Sequence, residues 1–203
     1  MANAEQVFRA KAPGIMAKLL SDFPIAVEDA AAIVGNGGHE SLGFTAMQEF
    51  KPTVAGSKGG WGWMQWTGPR RRAFEAWCKR TGKNPASDDA NYGWLFLELK
   101  GIEGTEGGAI KKMVAAKGLD AKVEAFERAF LRAGVKHYDS RKLWTKRALA
   151  AYHGSGQPVA PTPIAPAAPA APAAKSPIAI IVAAIIALLG GAYAIAKPHG
   201  LVP

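Results

Sequence analysis

The sequence predicts a mostly helical α+β domain with one small β-hairpin, followed by a Pro/Ala-rich linker and a single C-terminal transmembrane helix. Three observations support this prediction: helical periodicity with clear start and stop signals, a Gly- and Trp-rich stretch between two helices, and a long uncharged apolar run near the C-terminus. The predicted organisation is a folded domain over 1–156, a linker over 157–176, a transmembrane helix over 177–196 and a tail over 197–203.

Seven helices are predicted in the folded domain: 4–20, 27–42, 67–81, 87–101, 108–117, 120–133 and 139–152. The first is expected to be interrupted at Pro13, which lacks a backbone donor. Glu28 and Asp29 suit the positive N-terminal end of the second helix. Pro69 marks the first turn of the third, and Ser87 is an N-cap for the fourth.

The stretch 44–66 breaks this helical pattern. It is rich in Gly, Thr, Val and aromatic residues, which favours a small β-hairpin. Strand alternation would place four side chains on one face: Trp61, Trp63, Gln65 and Thr67. Met64 and Trp66 would then point to the other face. Aromatic rings and a side-chain amide suit a sugar polymer, although at least half of the domain's tryptophans are expected in the core.

A glycine-rich segment, 35–44, places one carboxylate on the apolar side of a helix. On a helix, Ile33, Gly37, Glu40 and Phe44 fall on one line. Apolar surroundings raise the pKa of a carboxyl group, which is what a general acid requires near neutral pH. The alternative is a glutamate exposed at a fraying helix end.

These two stretches together resemble the phage lysozyme-like peptidoglycan hydrolases, especially the phage tail lysozyme family. In that family a helix ends in Gly-Asn…Glu-Ser…Phe, and a hairpin ends in Gly-x-x-Gln-Trp-Thr-Gly-x-Arg. The matching residues are Gly35, Asn36, Glu40, Ser41, Gly43 and Phe44, then Gly62, Gln65, Trp66, Thr67, Gly68, Arg70 and Arg71. Segments 95–99 and 126–128 also resemble the family, so that the resemblance covers about 22–152.

The resemblance implies a lysozyme-like domain that cleaves the β-1,4 bond between N-acetylmuramic acid and N-acetylglucosamine, with Glu40 as the catalytic acid. The substrate-binding candidates are Ser41, Trp61, Gln65, Thr67 and Tyr152. Tyr152 belongs to the run Ala-Tyr-His-Gly-Ser-Gly over 151–156, which is similar to the Ala-Tyr-Asn-x-Gly motif of lytic transglycosylases. A tyrosine packed inward at the end of a helix is the alternative for this residue.

The reaction type depends on a second carboxylate. Hydrolysis requires a base for water or a nucleophile, and Glu49 is the nearest candidate. Without such help, the sugar's own 6-hydroxyl would attack and the enzyme would be a lytic transglycosylase. We expect hydrolysis, because Glu49 is available and His153 replaces the motif's asparagine. The sequence leaves both reactions open, and also a non-catalytic wall-binding or holin-like membrane protein.

Composition excludes several other classes of site and partner. The single Cys78 rules out a disulfide framework, and the four histidines show no metal-ligand spacing, so neither a metal nor a cofactor is expected. All 16 acids and 23 of the 25 Lys and Arg residues precede residue 157, which gives that part a charge of +7. Given the resemblance, we expect an anionic bacterial envelope with peptidoglycan strands, rather than nucleic acid, as the partner. A merely solvated basic surface is the alternative.

The last 47 residues differ sharply from the rest of the chain. Six prolines favour an extended spacer of roughly 50 Å: Pro158, Pro161, Pro163, Pro166, Pro169 and Pro172. Residues 177–196 are uncharged, lie between Lys175 and Lys197, and are long enough to cross a bilayer. Because the N-terminus lacks a secretory signal, we expect a protein anchored in a virion membrane, an infection apparatus or the host inner membrane, with other virion or membrane proteins as further partners. The host wall, the oligomeric state and the stage of infection are left open.

Overall fold

A computed structural model describes residues 3–50, 52 and 56–156 of the chain. These residues form seven α-helices: α1 Ala4–Asp22, α2 Val27–Glu40, α3 Gly68–Thr81, α4 Asp88–Leu99, α5 Ala109–Val114, α6 Leu119–Phe126 and α7 Tyr138–Gly154. A π-helical turn, Glu127–Leu131, follows α6. The mostly helical prediction is confirmed, with helix ends that differ from the predicted ones by a few residues.

The second helix, α2, forms the centre of the domain. Its residues from Asp29 to Gly38 are buried, and α1, α6 and α7 pack against it. Glycine is required where α7 approaches: a Cβ atom added at Gly35 would lie 2.5 Å from the Cα of Thr145. No side chain fits in that space, so Gly35 lets the two helix backbones touch. This contact fixes α7 beside the C-terminal end of α2.

The first helix continues through Pro13, and the predicted interruption there is wrong. Pro13 is buried within α1, which begins at a reciprocal capping box between Asn3 and Gln6. The apolar face of the helix, which includes Phe8 and Met16, is completely buried. Burial of this face offsets the backbone hydrogen bond that proline cannot make.

Within the described residues of the predicted hairpin, strand pairing consists of two isolated antiparallel bridges, Gln48 with Trp61 and Trp61 with Trp66. Between Trp61 and Trp66 the chain reverses in a tight turn, in which the backbone amide of Gln65 donates to the carbonyl of Gly62 at 3.1 Å. Gly62 and Gln65 both have positive φ, at 80° and 48°.

The expected alternation of side chains is therefore wrong. Trp63, Met64 and Trp66 are all buried, because period-two alternation holds along a strand and not through a turn. The expectation that at least half of the six tryptophans are in the core is confirmed, since Trp94 and Trp144 are buried as well. Cys78 is also buried.

The predicted linker and transmembrane segment lie outside the described residues, so the boundaries at 157, 177 and 197 stay predictions. In the described part of the chain, no helix combines the length and the apolar character that a membrane span requires.

Candidate active site

Glu40 is the last residue of α2, and its carboxylate is held by a buried arginine from α7. The Nη2 of Arg141 donates to Oε1 of Glu40 at 2.7 Å. The same guanidinium donates from Nη1 to Oδ1 of Asn36 at 3.1 Å and from Nε to the carbonyl of Lys136 at 2.6 Å. The side chain of Arg141 is 1% exposed and that of Glu40 is 17% exposed. The guanidinium of Arg141, which is held by these hydrogen bonds, therefore fixes the carboxylate of Glu40 at the edge of the core.

Burial raises the pKa of Glu40 above its ordinary value of 4.5, and the positive charge of Arg141 opposes that shift without cancelling it. A second buried carboxylate, Glu127, adds to the rise. A carboxyl group with a raised pKa keeps its proton to a higher pH than an ordinary glutamate, which suits a general acid. The expectation that an apolar setting raises the pKa of this glutamate therefore agrees with the structure.

Glu40 lies between two adjacent cavities. The larger, about 430 Å³ in volume, is lined by Glu40, Glu49, Gln65, Thr67 and residues 131–134, among others. The smaller, about 260 Å³, shares Glu40, Glu49 and Gln65 with the first. A polymer that is cut internally needs room on both sides of its scissile bond, and these cavities provide room on either side of Glu40.

Glu49 brings a second carboxylate to the same cavity. Its Oε2 accepts a hydrogen bond from the backbone amide of Gly60 at 2.7 Å. Gly60 is followed directly by the first bridge, so this contact fixes Glu49 against the turn. The two carboxylates that the sequence singled out thus line one cavity.

A family model for phage tail lysozymes matches residues 11–152. The chain belongs to the phage tail lysozyme family. Membership makes it a glycosidase-type peptidoglycan hydrolase, with the bacterial cell-wall polymer as its substrate. No curated protein and no solved structure matches the chain.

In this tail lysozyme, the side-chain amide of Gln65 forms hydrogen bonds with the protein backbone. Its Nε2 donates to three carbonyl oxygens, those of Gly62 at 3.0 Å, Ala46 at 3.2 Å and Met47 at 3.3 Å. The side chain lines both cavities and at the same time connects the turn to the segment after α2. Thr67, in contrast, is exposed at the start of α3 and lines the larger cavity.

The other three substrate-binding candidates are not part of the walls of the two cavities. The Ser41 hydroxyl is buried, donating to the Gly37 carbonyl at 2.7 Å and accepting from the Phe44 amide at 3.1 Å. Trp61 is half-buried, and Tyr152 is buried within α7. None of the three lines either cavity beside Glu40. Whether they contact substrate stays a prediction.

Sequence reasoning missed Arg141 and gave Glu127 no role. Glu127 is completely buried in the π-helical turn, where it accepts hydrogen bonds from Ala133 N, Lys136 Nζ and Tyr138 Oη at 2.8, 3.1 and 3.1 Å. These bonds hold the segment 131–134, which forms one wall of the larger cavity. Arg141 did carry a signal, because it lies on the helical face of Trp144, Ala148 and Tyr152, all of which are buried.

Two histidines adjoin the catalytic candidate. The Nδ1 of His39 lies 2.8 Å from the Ser140 hydroxyl, and its ring centroid is 5.5 Å from that of His137. Burial, followed by the charge of Arg141, lowers the pKa of His39 to about 4. His39 is therefore neutral at physiological pH. Within the described ranges, no three His, Cys, Asp or Glu side chains are grouped closely enough to hold a metal ion.

Proposed function

We propose that this tail lysozyme cleaves the β-1,4 bond between N-acetylmuramic acid and N-acetylglucosamine, with Glu40 as the general acid. The single observation that carries the proposal is the position of Glu40. It is a mostly buried carboxyl with a raised pKa, and it opens on a cavity that contains a second carboxylate. Acid catalysis at a glycosidic oxygen requires a group of this kind.

In the proposed reaction Glu40 transfers its proton to the glycosidic oxygen as the bond from that oxygen to the anomeric carbon breaks. The carboxylate left behind is stabilised by the positive charge of Arg141, whose Nη2 already lies 2.7 Å from Oε1 of Glu40. That cation needs no reorganisation when the negative charge develops, because Asn36 and the Lys136 carbonyl hold it in place. Arg141 is thus proposed as a positioning residue, and Glu40 as the group that reacts.

The proposed second carboxylate is Glu49. It acts either as a base that takes a proton from the attacking water or as a nucleophile toward the anomeric carbon. The Gly60 amide donates to Oε2 of Glu49, so this bond holds the carboxylate in place without involving Oε1. On this basis we propose hydrolysis rather than transglycosylation.

Digestion of purified peptidoglycan by the detergent-solubilised full chain tests both parts of the proposal. Hydrolysis releases fragments with a reducing N-acetylmuramic acid end. Fragments lighter by one water, with a 1,6-anhydro ring, would identify a lytic transglycosylase instead. Glycan strands left uncut by a folded enzyme that still binds them would indicate a wall-binding module.

We also propose that residues 177–196 anchor the enzyme in a membrane, with 157–176 as spacer. Support comes from the sequence, since the run is uncharged, has lysines beyond both ends and has the length of a bilayer-spanning helix. The proposed location is a virion membrane or infection apparatus, or the host inner membrane. An extended spacer would let the enzyme reach the wall while it stays attached.

A further inference from the structure

A pocket of about 270 Å³, separate from the two beside Glu40, is lined by three basic side chains, one of which is paired with a carboxylate. Lys58, Arg71, Arg72 and Glu75 contribute to its wall. Glu75 is already paired, because its Oε1 accepts from the Nε of Arg71 at 2.7 Å. Among the described residues, neither Lys58 nor Arg72 has an ion-pair partner. Both side chains are exposed, so the pocket has two cations that form no ion pair with a carboxylate in the described part of the chain.

Arg71 holds the two sides of this pocket together through hydrogen bonds. It is 8% exposed, and its Nη1 donates to the carbonyls of Lys58 and Gly59 at 2.6 and 3.0 Å. Its guanidinium also lies 5.3 Å from the ring of Trp61. In the described part of the chain no group accepts a hydrogen bond from its Nη2. The loop that carries Lys58 is therefore tied to α3, which carries Arg72.

The pocket adjoins the proposed catalytic cleft along two segments of the chain. Gly59 lines the basic pocket, and the next residue, Gly60, donates its amide to Glu49 in the cleft. Thr67 lines the cleft, and the next residue, Gly68, lines the basic pocket. At two points, therefore, residues next to each other in the chain contribute to the cleft and to the basic pocket.

We propose that the pocket formed by Lys58, Arg71 and Arg72 binds a carboxylate of the peptide stem that N-acetylmuramic acid carries, an inference that rests on the glycosidase function proposed above. The stem leaves the sugar through its lactyl ether and bears free carboxylates, which match unpaired Lys and Arg side chains in charge. The enzyme then recognises stem-bearing glycan in preference to the bare sugar chain. Phosphate groups of wall polymers have similar chemistry, so the test separates the two sources.

The test compares binding to stem-bearing peptidoglycan with binding to stem-free strands. An amidase removes the stems, and the lactyl carboxylates that it leaves are then converted to neutral amides, so that the strands carry no carboxylate in place of the stem. Full-length protein in detergent is used, with Glu40→Gln in every sample so that the ligand stays intact during co-sedimentation. Lys58→Ala/Arg72→Ala should weaken binding to stem-bearing glycan by roughly 3- to 10-fold, the effect of losing two solvent-screened ion pairs. Binding to stem-free strands should not change. The matched control, Lys111→Ala/Lys117→Ala, removes two exposed lysines elsewhere and should affect both ligands equally.

Equal weakening on both ligands, or no weakening on stem-bearing glycan, would overturn the proposal. So would a difference that disappears once wall phosphate polymers are removed with hydrofluoric acid, because phosphate would then be the ligand. Cleavage by the protein with Glu40 intact is measured separately on both ligands. Absence of cleavage alongside the expected binding difference would contradict the glycosidase function and leave the stem site supported.

Discussion

Arg141 and Glu40, which are 101 residues apart in the chain, are joined by a 2.7 Å hydrogen bond between opposite charges. The pair connects the start of α7 to the end of α2 at the edge of the larger cavity. Arg141 works against burial, which raises the pKa of Glu40. Because burial outweighs the opposing cation, the pKa of Glu40 stays above its ordinary value.

Replacing Arg141 should move the pH dependence of catalysis upward. In Arg141→Met the cation that opposes burial is gone, so the pKa of Glu40 rises further and its proton is kept to higher pH. The high-pH limb of the kcat profile should therefore shift to higher pH, as measured by muropeptide release across a pH series. Arg141→Lys keeps the charge and should shift less.

Both Arg141 variants should also lose stability, because Asn36 Oδ1 and the Lys136 carbonyl are left without their donor. The expected cost for Arg141→Met is about 3–5 kcal/mol, typical of breaking a buried ion pair. An unmoved high-pH limb in a variant that circular dichroism reports as folded would mean that Arg141 does not act on the ionisation of Glu40.

Glu40→Gln should remove most of the activity and leave the fold intact. The amide keeps the shape of the carboxyl and can still accept from Arg141, but it has no transferable proton. Loss of general acid catalysis is expected to slow peptidoglycan cleavage by about 10²–10⁴, with little change in the thermal midpoint. The matched control is Glu103→Gln, at a carboxylate with 36% side-chain exposure, which should keep full activity. An active Glu40→Gln enzyme together with an inactive Glu49→Gln enzyme would reverse the proposed roles.

Gln65→Ala should lower stability as well as turnover. The variant loses three hydrogen bonds to backbone carbonyls in a half-buried turn, at a cost of about 1–3 kcal/mol. Chemical denaturation measures this loss, and activity per folded molecule measures the effect on turnover. Gln65→Gly loses the same bonds but suits the positive φ of 48°, so it should be no less stable than the alanine variant. An unchanged unfolding free energy with reduced turnover would instead assign the amide to substrate.

His39 should make the protein less stable as the pH falls from about 6.5 toward 4. Its pKa is lowered from 6.5 to about 4 in the folded chain, so the unfolded state takes up a proton in this range and the folded state does not. The loss is absent above 6.5 and complete below 4. Thermal midpoints of the wild type and His39→Gln across this range should converge, or cross, as the pH falls. His153→Gln, at an exposed histidine, controls for the removal of an imidazole; parallel curves for His39→Gln would contradict the prediction.

The proposed anchor predicts that full-length protein stays in the membrane pellet after a carbonate wash. Ala184→Arg places a charge in the middle of 177–196 and should weaken insertion by roughly 2.5–3.5 kcal/mol, moving protein to the supernatant. Ala184→Leu keeps the segment apolar and should remain in the pellet. Wild-type protein in the supernatant would contradict the anchor, and the predicted domain boundaries would need revision.

The sequence by itself determined the helices, the glutamate at the end of α2 and the family of the enzyme. Helix boundaries depend on local signals such as Ser87, which caps α4 as predicted, and Pro69, which lies in the first turn of α3. Glu40 could be placed on an apolar face because helical periodicity is also local. Glu49 could be named as a candidate because it is close to Glu40 in the chain.

Only the tertiary structure decided what surrounds those carboxylates. Arg141 meets Glu40 because Gly35 allows α7 to touch α2, a contact between residues far apart in the chain that no local pattern encodes. Residues 62–65, within the Gly- and Trp-rich stretch, form a turn because the positive φ of Gly62 and the hydrogen bonds of Gln65 stabilise a reversal there. The cavity wall at 131–134 depends likewise on the buried Glu127. Such long-range contacts form only when the whole domain packs, so periodicity and spacing carry too little information to predict them.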